Sequence, residues 1–177
     1  QINDVVLAFN IALLEVPDTY VDDLRVLAIG DLAKSEFRIE LPLAGATPTP
    51  PPEVRVRSRL CGEPEWLELP AQAQFVDGRI VLSAPIANPR PWSPAEPNLY
   101  ELEIALAGEG ADGIRTRAAF RSMEVFGSQF RLNGRPLQLR GLLNWGFSPP
   151  RTDPNPGEDV WRQEIEFARS RGFPLMK

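Results

Sequence analysis

Apolar and polar residues alternate in short runs along most of this chain, and the runs are closed by proline or glycine. Phe37, Ile39 and Leu41 alternate with Arg38 and Glu40, which is the period of a strand with one face buried. From Val54 to Leu60 the alternation places Arg55, Arg57 and Arg59 on one face. That pattern fits a solvated strand face over a core, or an anion-binding face. Between Leu99 and Leu106, Tyr100, Leu102, Ile104 and Leu106 share one side, and Leu99, Glu101, Glu103 and Ala105 the other. Asp-Gly and Asn-Gly pairs predict tight hairpins, because a type I′ turn needs positive φ at both central residues. Asp77-Gly78 joins Gln72–Val76 to Arg79–Leu82, and Asp112-Gly113 turns the chain back into Ile114–Phe120. Val21–Ile29 adds a further apolar stretch, while Ile2–Leu14 reads as either a strand pair or a short helix. Ala46 to Pro52 is too proline-dense for a ladder and predicts a connecting loop or a stiff polyproline segment. Six or seven short strands, roughly ten residues apart, predict an all-β fold, an immunoglobulin-like β-sandwich. It lacks the Cys-Trp-Cys core of antibody domains, so Trp66 or Trp92 and aliphatic residues must fill the interior.

The pattern changes between Phe120 and Trp145. Phe130 and Leu132 lead into Asn133-Gly134, and Pro136–Leu143 leads out as one apolar run. A proline-rich loop follows, and then a helix from Glu158-Asp159 to about Arg171, with acids in its first turn and Arg169 and Arg171 in its last. Val160, Trp161, Glu164, Ile165 and Ala168 recur at helical spacing, so this face packs inward, and Gly172 ends the helix. Strand, loop, helix is the opening unit of a parallel α/β layout.

Composition narrows the chemistry. The 177 residues carry a net charge of −5, and their basic residues are nearly all scattered arginines. Nucleic-acid binding needs a basic stripe, so no nucleic-acid partner is expected. The absence of histidine removes Ser-His-Asp triads and most zinc sites. Cys61, the single cysteine, reads as a small buried or half-buried thiol. Asp18, Asp22 and Asp23 lie close together without the spacing of a calcium loop, so neither a metal nor any other cofactor is expected. No apolar run approaches the ~18 residues of a membrane span, so no membrane partner is expected. The chain opens on Gln1, and after Gly172 it runs into Phe173–Met176 as though a new strand begins. It therefore reads as part of a longer protein.

No pair of carboxylates stands out as acid and base, so no catalytic residue is assigned. Ligands of parallel α/β barrels sit at the carboxyl ends of strands, and there the chain places Asn144 and Trp145. An amide that hydrogen-bonds hydroxyls beside an indole that stacks on a sugar face suits a carbohydrate. Ordinary loop packing is the alternative for both residues.

Three segments, in order, carry a resemblance. They are Pro91-Trp92-Ser93-Pro94-Ala95-Glu96-Pro97-Asn98-Leu99-Tyr100, then Ala119-Phe120-Arg121-Ser122-Met123-Glu124-Val125, then the run Phe130 to Gly141 around Leu132-Asn133-Gly134-Arg135-Pro136. Together they resemble glycoside hydrolase family 2, the group of β-galactosidases, β-glucuronidases and β-mannosidases. The resemblance is close from Leu82 to Lys177 and covers earlier strands by pattern only. It implies three regions: 1–16 as the end of a preceding sugar-binding jelly roll or a linker, 17–125 as the sandwich, and 126–177 as the start of a truncated (β/α)8 catalytic barrel. Ala119 stands where the family often has glycine, Asn144-Trp145-Gly146 where many members place a histidine, and Phe173-Pro174 where Phe-Asn is usual.

The same resemblance implies a parent that hydrolyses β-glycosides with retention, with a carbohydrate substrate. Its two catalytic glutamates would lie on later barrel strands, so this chain is expected to be inactive alone, a scaffold packed on barrel and jelly roll. A barrel start without its barrel is expected to self-associate. The rival reading is a free-standing β-sandwich module that binds carbohydrate or protein; the tail from Asn133 to Gly172 is what such a module would not need.

Overall fold

The computed structural model describes residues 15–45, 50, 52–107, 112–144, 157–173 and 175–176. Ile2–Leu14, most of the proline-rich run at 46–52, and Trp145 therefore lie outside the described residues. In chain order the elements begin with β1 (Thr19–Val21), a single 3₁₀ turn at Asp23–Arg25, β2 (Leu27–Asp31) and β3 (Glu36–Gly45). Next come β4 (Val54–Leu60), β5 (Leu67–Leu69), β6 (Gln72–Val76), β7 (Arg79–Pro85), β8 (Tyr100–Leu106) and β9 (Gly113–Ala118). They continue as β10 (Met123–Phe126), β11 (Gln129–Leu132), β12 (Arg135–Leu137), β13 (Gly141–Leu142), α1 (Glu158–Ser170) and β14 (Leu175–Met176).

Two compact units emerge among the described residues. One takes the chain up to Ile29, Glu36–Ile86 and Tyr100–Ala118; the other takes Gly30–Ser35, Ala87–Leu99 and the chain from Ala119 onward. The first unit is an all-β sandwich. One sheet runs β1-β3-β7-β6 with β2 paired to β3, and the other runs β5-β4-β8-β9. Neighbours whose register is set are antiparallel, with Ile39 opposite Leu82 in the first sheet and Val56 opposite Ile104 in the second.

The predicted alternation decides which side of each strand is dry. Phe37, Ile39 and Leu41 of β3, Ile80 and Leu82 of β7, Val56 of β4, and Leu102 and Ile104 of β8 are buried. The edge of the Phe37 ring meets Tyr100 at 5.6 Å between centroids, an aromatic contact from one sheet to the other. Complete burial of each such side chain contributes about 1.5–3 kcal/mol. The Asp77-Gly78 hairpin forms as read, with φ of 51° and 74°. Cys61 is a free, half-buried thiol.

The polar side of the second sheet is a ladder of ion pairs. Register places Arg57 opposite Glu103 and Glu103 opposite Arg115, with Arg59, Glu101 and Arg117 one rung along. Arg57 donates to one oxygen of Glu103, and Arg115 donates to the other from Nε at 3.0 Å and Nη2 at 2.8 Å. Glu101 accepts from Arg59 at 2.7 Å and lies 3.6 Å from Arg117. The arginines of the Val54–Leu60 run thus lie on the polar side of this sheet, opposite the core, and Arg57 and Arg59 are in ion pairs. Hydrogen bonding from Arg59 holds the Glu101 carboxyl below the ordinary value of 4.5, against the opposing effect of desolvation. Arg57 does the same for Glu103. Exposed ion pairs contribute little individually, so the apolar interior rather than this ladder carries the fold.

Several expectations are corrected. The six or seven strands become nine among the described residues of the sandwich, because β1 and β5 are only three residues long, too short to show a period. The run Pro136–Leu143 is not one strand: pairing stops after Leu137 and resumes at Gly141. The second strand after Asp112-Gly113 ends at Ala118, and Phe120 makes only isolated bridges, to Gly30 and Pro91. Ile165, placed on the packed side of α1, is 54% exposed.

Since both ladder carboxyls have a folded pKa below 4.5, their contribution to stability is complete above that value and is lost as pH falls through the lowered one. Urea midpoints measured from pH 6 to pH 3 should therefore drop below pH 4.5. The double variant Glu101→Gln/Glu103→Gln should show a shallower drop; an unchanged slope would contradict this assignment.

Candidate functional site

The second unit builds outward from Phe120, which is fully buried. Its carbonyl accepts from the Trp92 N–H at 2.8 Å, and the Gly30 N–H donates to the Ala119 carbonyl at 3.2 Å. A Cβ on Gly30 would come within 2.8 Å of the Phe120 ring and the Ala119 carbonyl, so only glycine lets the two backbones meet here.

The strands β10, β11 and β12 form an antiparallel sheet in that order. Phe126-Gly127-Ser128-Gln129 makes a hairpin that sequence reading missed, although Gly-Ser between two apolar runs, with Gly127 at φ 61°, is a two-residue hairpin signal. The next turn is the expected one, with Asn133 at φ 50° and Gly134 at φ 75°. Asn133 does more than turn the chain. Its Oδ1 accepts from the Ser122 N–H at 2.9 Å, its own N–H donates to the Ser122 carbonyl at 2.9 Å, and its Nδ2 donates to the Trp92 carbonyl at 2.9 Å. One side chain thus ties Trp92-Ser93-Pro94, the Arg121-Ser122 segment and the Asn133-Gly134 turn together, and Arg121 stacks over the Trp92 ring at 5.1 Å.

Beyond this knot lies the predicted site. β13 pairs with β14 in parallel, Gly141 with Leu175 and Leu142 with Met176, and α1 lies between them in sequence. Gly141 allows the close approach, since a Cβ there would stand 3.3 Å from the Leu175 side chain. Asn144 follows the carboxyl end of β13, and its Nδ2 donates to Oε2 of Glu164 on α1. Glu164 is half-buried on the side of α1 that carries Val160, Trp161 and Ala168.

Asn144 therefore stands beside a carboxylate, and its other predicted partner, Trp145, lies outside the described residues. Glu164 is the group sequence reading missed as a polar partner. The available signal was a carboxylate at the centre of an apolar helical stripe, a position normally filled by an aliphatic residue. An amide donor and a carboxylate acceptor side by side can orient a hydroxyl. They do not form the two-carboxylate pair, about 5 Å apart, of a retaining glycosidase. No cluster of ligating side chains that could hold a metal occurs among the described residues, and no helix among them is long and apolar enough to cross a membrane.

Comparison with known proteins gives these elements a context. Residues 19–121 match the family model described as Glycosyl hydrolases family 2. A β-galactosidase 2 from Enterobacter cloacae is 26% identical over 180 residues, covering 95% of this chain and 17% of the relative. A β-galactosidase from Aeromonas hydrophila is 29% identical over 144 residues, 75% of this chain and 14% of its own length. The chain thus spans about a sixth of the curated relatives it matches. Among solved structures, a β-D-glucuronidase from Dictyoglomus thermophilum superposes with a TM-score of 0.65 at 20% identity, over 90% of this chain and 25% of that one, a likeness of fold.

Asn133→Ala should lower stability by about 2–3 kcal/mol, from two side-chain hydrogen bonds at ~1 kcal/mol each and the strain of positive φ without an Asn side chain. Asn133→Gly should recover only the strain, roughly 1 kcal/mol. Urea denaturation followed by tryptophan fluorescence separates the two; equal losses would contradict the hydrogen-bond account.

Proposed function

Because the chain belongs to glycosyl hydrolase family 2, we propose that it supplies the non-catalytic, immunoglobulin-like sandwich of a longer retaining β-glycosidase, together with the first strand and helix of its (β/α)8 barrel. In this reading residues 17–125 are the sandwich, 126–177 begin the barrel, and 1–16 are the end of a preceding sugar-binding domain or a linker. The observation that carries it is the parallel pairing of β13 with β14 across α1, directly after the Asn133 knot. Parallel strands need a crossover, usually helical, and strand, helix, parallel strand is the repeating unit of such barrels.

The carboxyl end of β13 is then the substrate side of the barrel. Asn144 and Trp145 are its sugar-facing candidates, and Glu164 orients the Asn144 amide. Retention needs two carboxyl groups about 5 Å apart, which the proposal places on later strands. The sandwich holds the barrel against the jelly roll and contributes no reacting group. The parent's substrate is a β-linked sugar, in keeping with the β-galactosidase names of its relatives.

A panel of nitrophenyl β-galactoside, β-glucuronide, β-mannoside and β-glucoside tests this on two proteins, the present chain and the longer protein that continues it. Hydrolysis of at least one substrate by the longer protein, with none by this chain, is the expected result. Silence in both, or turnover by this chain, overturns the proposal.

A barrel start on its own also leaves apolar surface to solvent. Leu143 is 60% exposed, and Phe126, Leu139, Ile165 and Phe167 are exposed as well. Sedimentation velocity should show association that grows with concentration. A single monomeric species at several hundred micromolar would contradict this expectation.

A further inference from the structure

The polar side of the β5-β4-β8-β9 sheet holds more cationic groups than its ladder uses. Register places Arg55, Arg57, Arg59, Arg115 and Arg117 on this side against Glu68, Glu101 and Glu103. Five guanidiniums against three carboxylates leave two positive charges in excess, on a chain whose net charge is −5. Here an open groove of about 260 Å³ is lined by Arg59, Trp66, Glu101, Arg115, Thr116 and Arg117. The Arg59 and Arg57 guanidiniums lie over the Trp66 ring, 4.6 and 5.4 Å from its centroid, so a ligand can use only the indole surface that they leave uncovered.

Arg115 commits Nε and Nη2 to Glu103, so what it offers a ligand is the remaining, solvent-facing part of its guanidinium. Arg117 comes only within 3.6 Å of Glu101, and the Arg115 and Arg117 side chains are 76% and 66% exposed. Each guanidinium has five N–H donors in a planar fork that matches a carboxylate or sulfate. Glu101 and Glu103 accept only, and each carboxylate has more lone-pair positions than its arginines fill.

We propose that this groove is a binding site for an anionic saccharide, one whose carboxylate or sulfate is taken by Arg115 and Arg117 while its hydroxyls donate to Glu101 and its ring lies against Trp66. Donor-only and acceptor-only groups alternate here, so the ligand must carry both an anion and hydroxyls, and an acidic sugar has both on one ring. An acidic peptide would supply the anion but set further carboxylates against Glu101. The indole provides the apolar wall that a sugar's C–H face requires. The site is remote in sequence from Asn144 and separate from the proposed glycosidase role, so the hydrolysis panel can succeed or fail without moving the result below.

The test is a ¹⁵N NMR titration of the full chain with trigalacturonate, with a sulfated carrageenan tetrasaccharide, with neutral maltotriose, and with sodium sulfate. The expected result is a saturable shift of the Trp66 indole N–H with at least one acidic sugar, at least tenfold tighter than with maltotriose and not reproduced by sulfate. Whether the uronate or the sulfated sugar responds identifies the anion. Arg115→Gln/Arg117→Gln should weaken that binding at least tenfold while leaving the amide spectrum of β3 and β7 unchanged. The proposal is overturned if neither acidic sugar shifts Trp66, if maltotriose or sulfate matches them, or if the folded double variant binds as the native chain does. Because the native chain is titrated first, a variant that fails to fold does not remove the test.

Discussion

The pleat of four strands is the constraint on which the sandwich depends. In β3, β4, β7 and β8 every second side chain points into a space shared by two sheets, and Phe37, Ile39, Leu41, Val56, Ile80, Leu82, Leu102 and Ile104 fill it. A shift of one residue in any of these strands would send its apolar set to solvent and its arginines or glutamates inward. The cost of burying those charges unpaired far exceeds what the surface ion pairs contribute. The core therefore sets the register, and the register aligns Arg57 with Glu103 and Arg59 with Glu101. The ladder is a consequence of the core, although it adds an acid-sensitive increment of its own.

What could be read from the chain follows from the same physics. Alternation in Phe37–Leu41, Val54–Leu60 and Tyr100–Leu106 was visible because each strand has one wet and one dry face. The Asp77-Gly78 and Asn133-Gly134 turns were visible because few residue pairs accept positive φ twice. Leu67–Leu69 was not, since three residues cannot show a period. Pro136–Leu143 misled because its leucines look continuous, whereas the chain leaves one sheet after Leu137 and enters another at Gly141. Ile165 misled because helical spacing marks a face without saying how wide the packed stripe is. Asn144 was singled out from its place at the end of a strand, but its partner Glu164 lies 20 residues away and only the fold joins them.

The second unit turns a sequence resemblance into a physical arrangement. Trp92-Ser93-Pro94 and Asn133-Gly134 are about 40 residues apart, yet the Asn133 side chain bonds the Trp92 carbonyl directly. Phe120, fully buried, bridges to both Gly30 and Pro91. After this knot the chain passes from the antiparallel pairing of β11 with β12 to the parallel pairing of β13 with β14. In the proposed function the family's motifs work as a joint, and the reacting groups would lie elsewhere in the longer protein.

The central claim is that the sandwich is complete in itself while β13, α1 and β14 belong to a larger barrel. Hydrogen exchange, measured on this chain and on the longer protein that continues it, tests this most directly. Amides of β3, β4, β7 and β8 should be strongly and equally protected in both, whereas those of β13, α1 and β14 should exchange quickly in this chain and slow by orders of magnitude in the longer protein. Equal protection of α1 and β14 in both proteins would contradict the account.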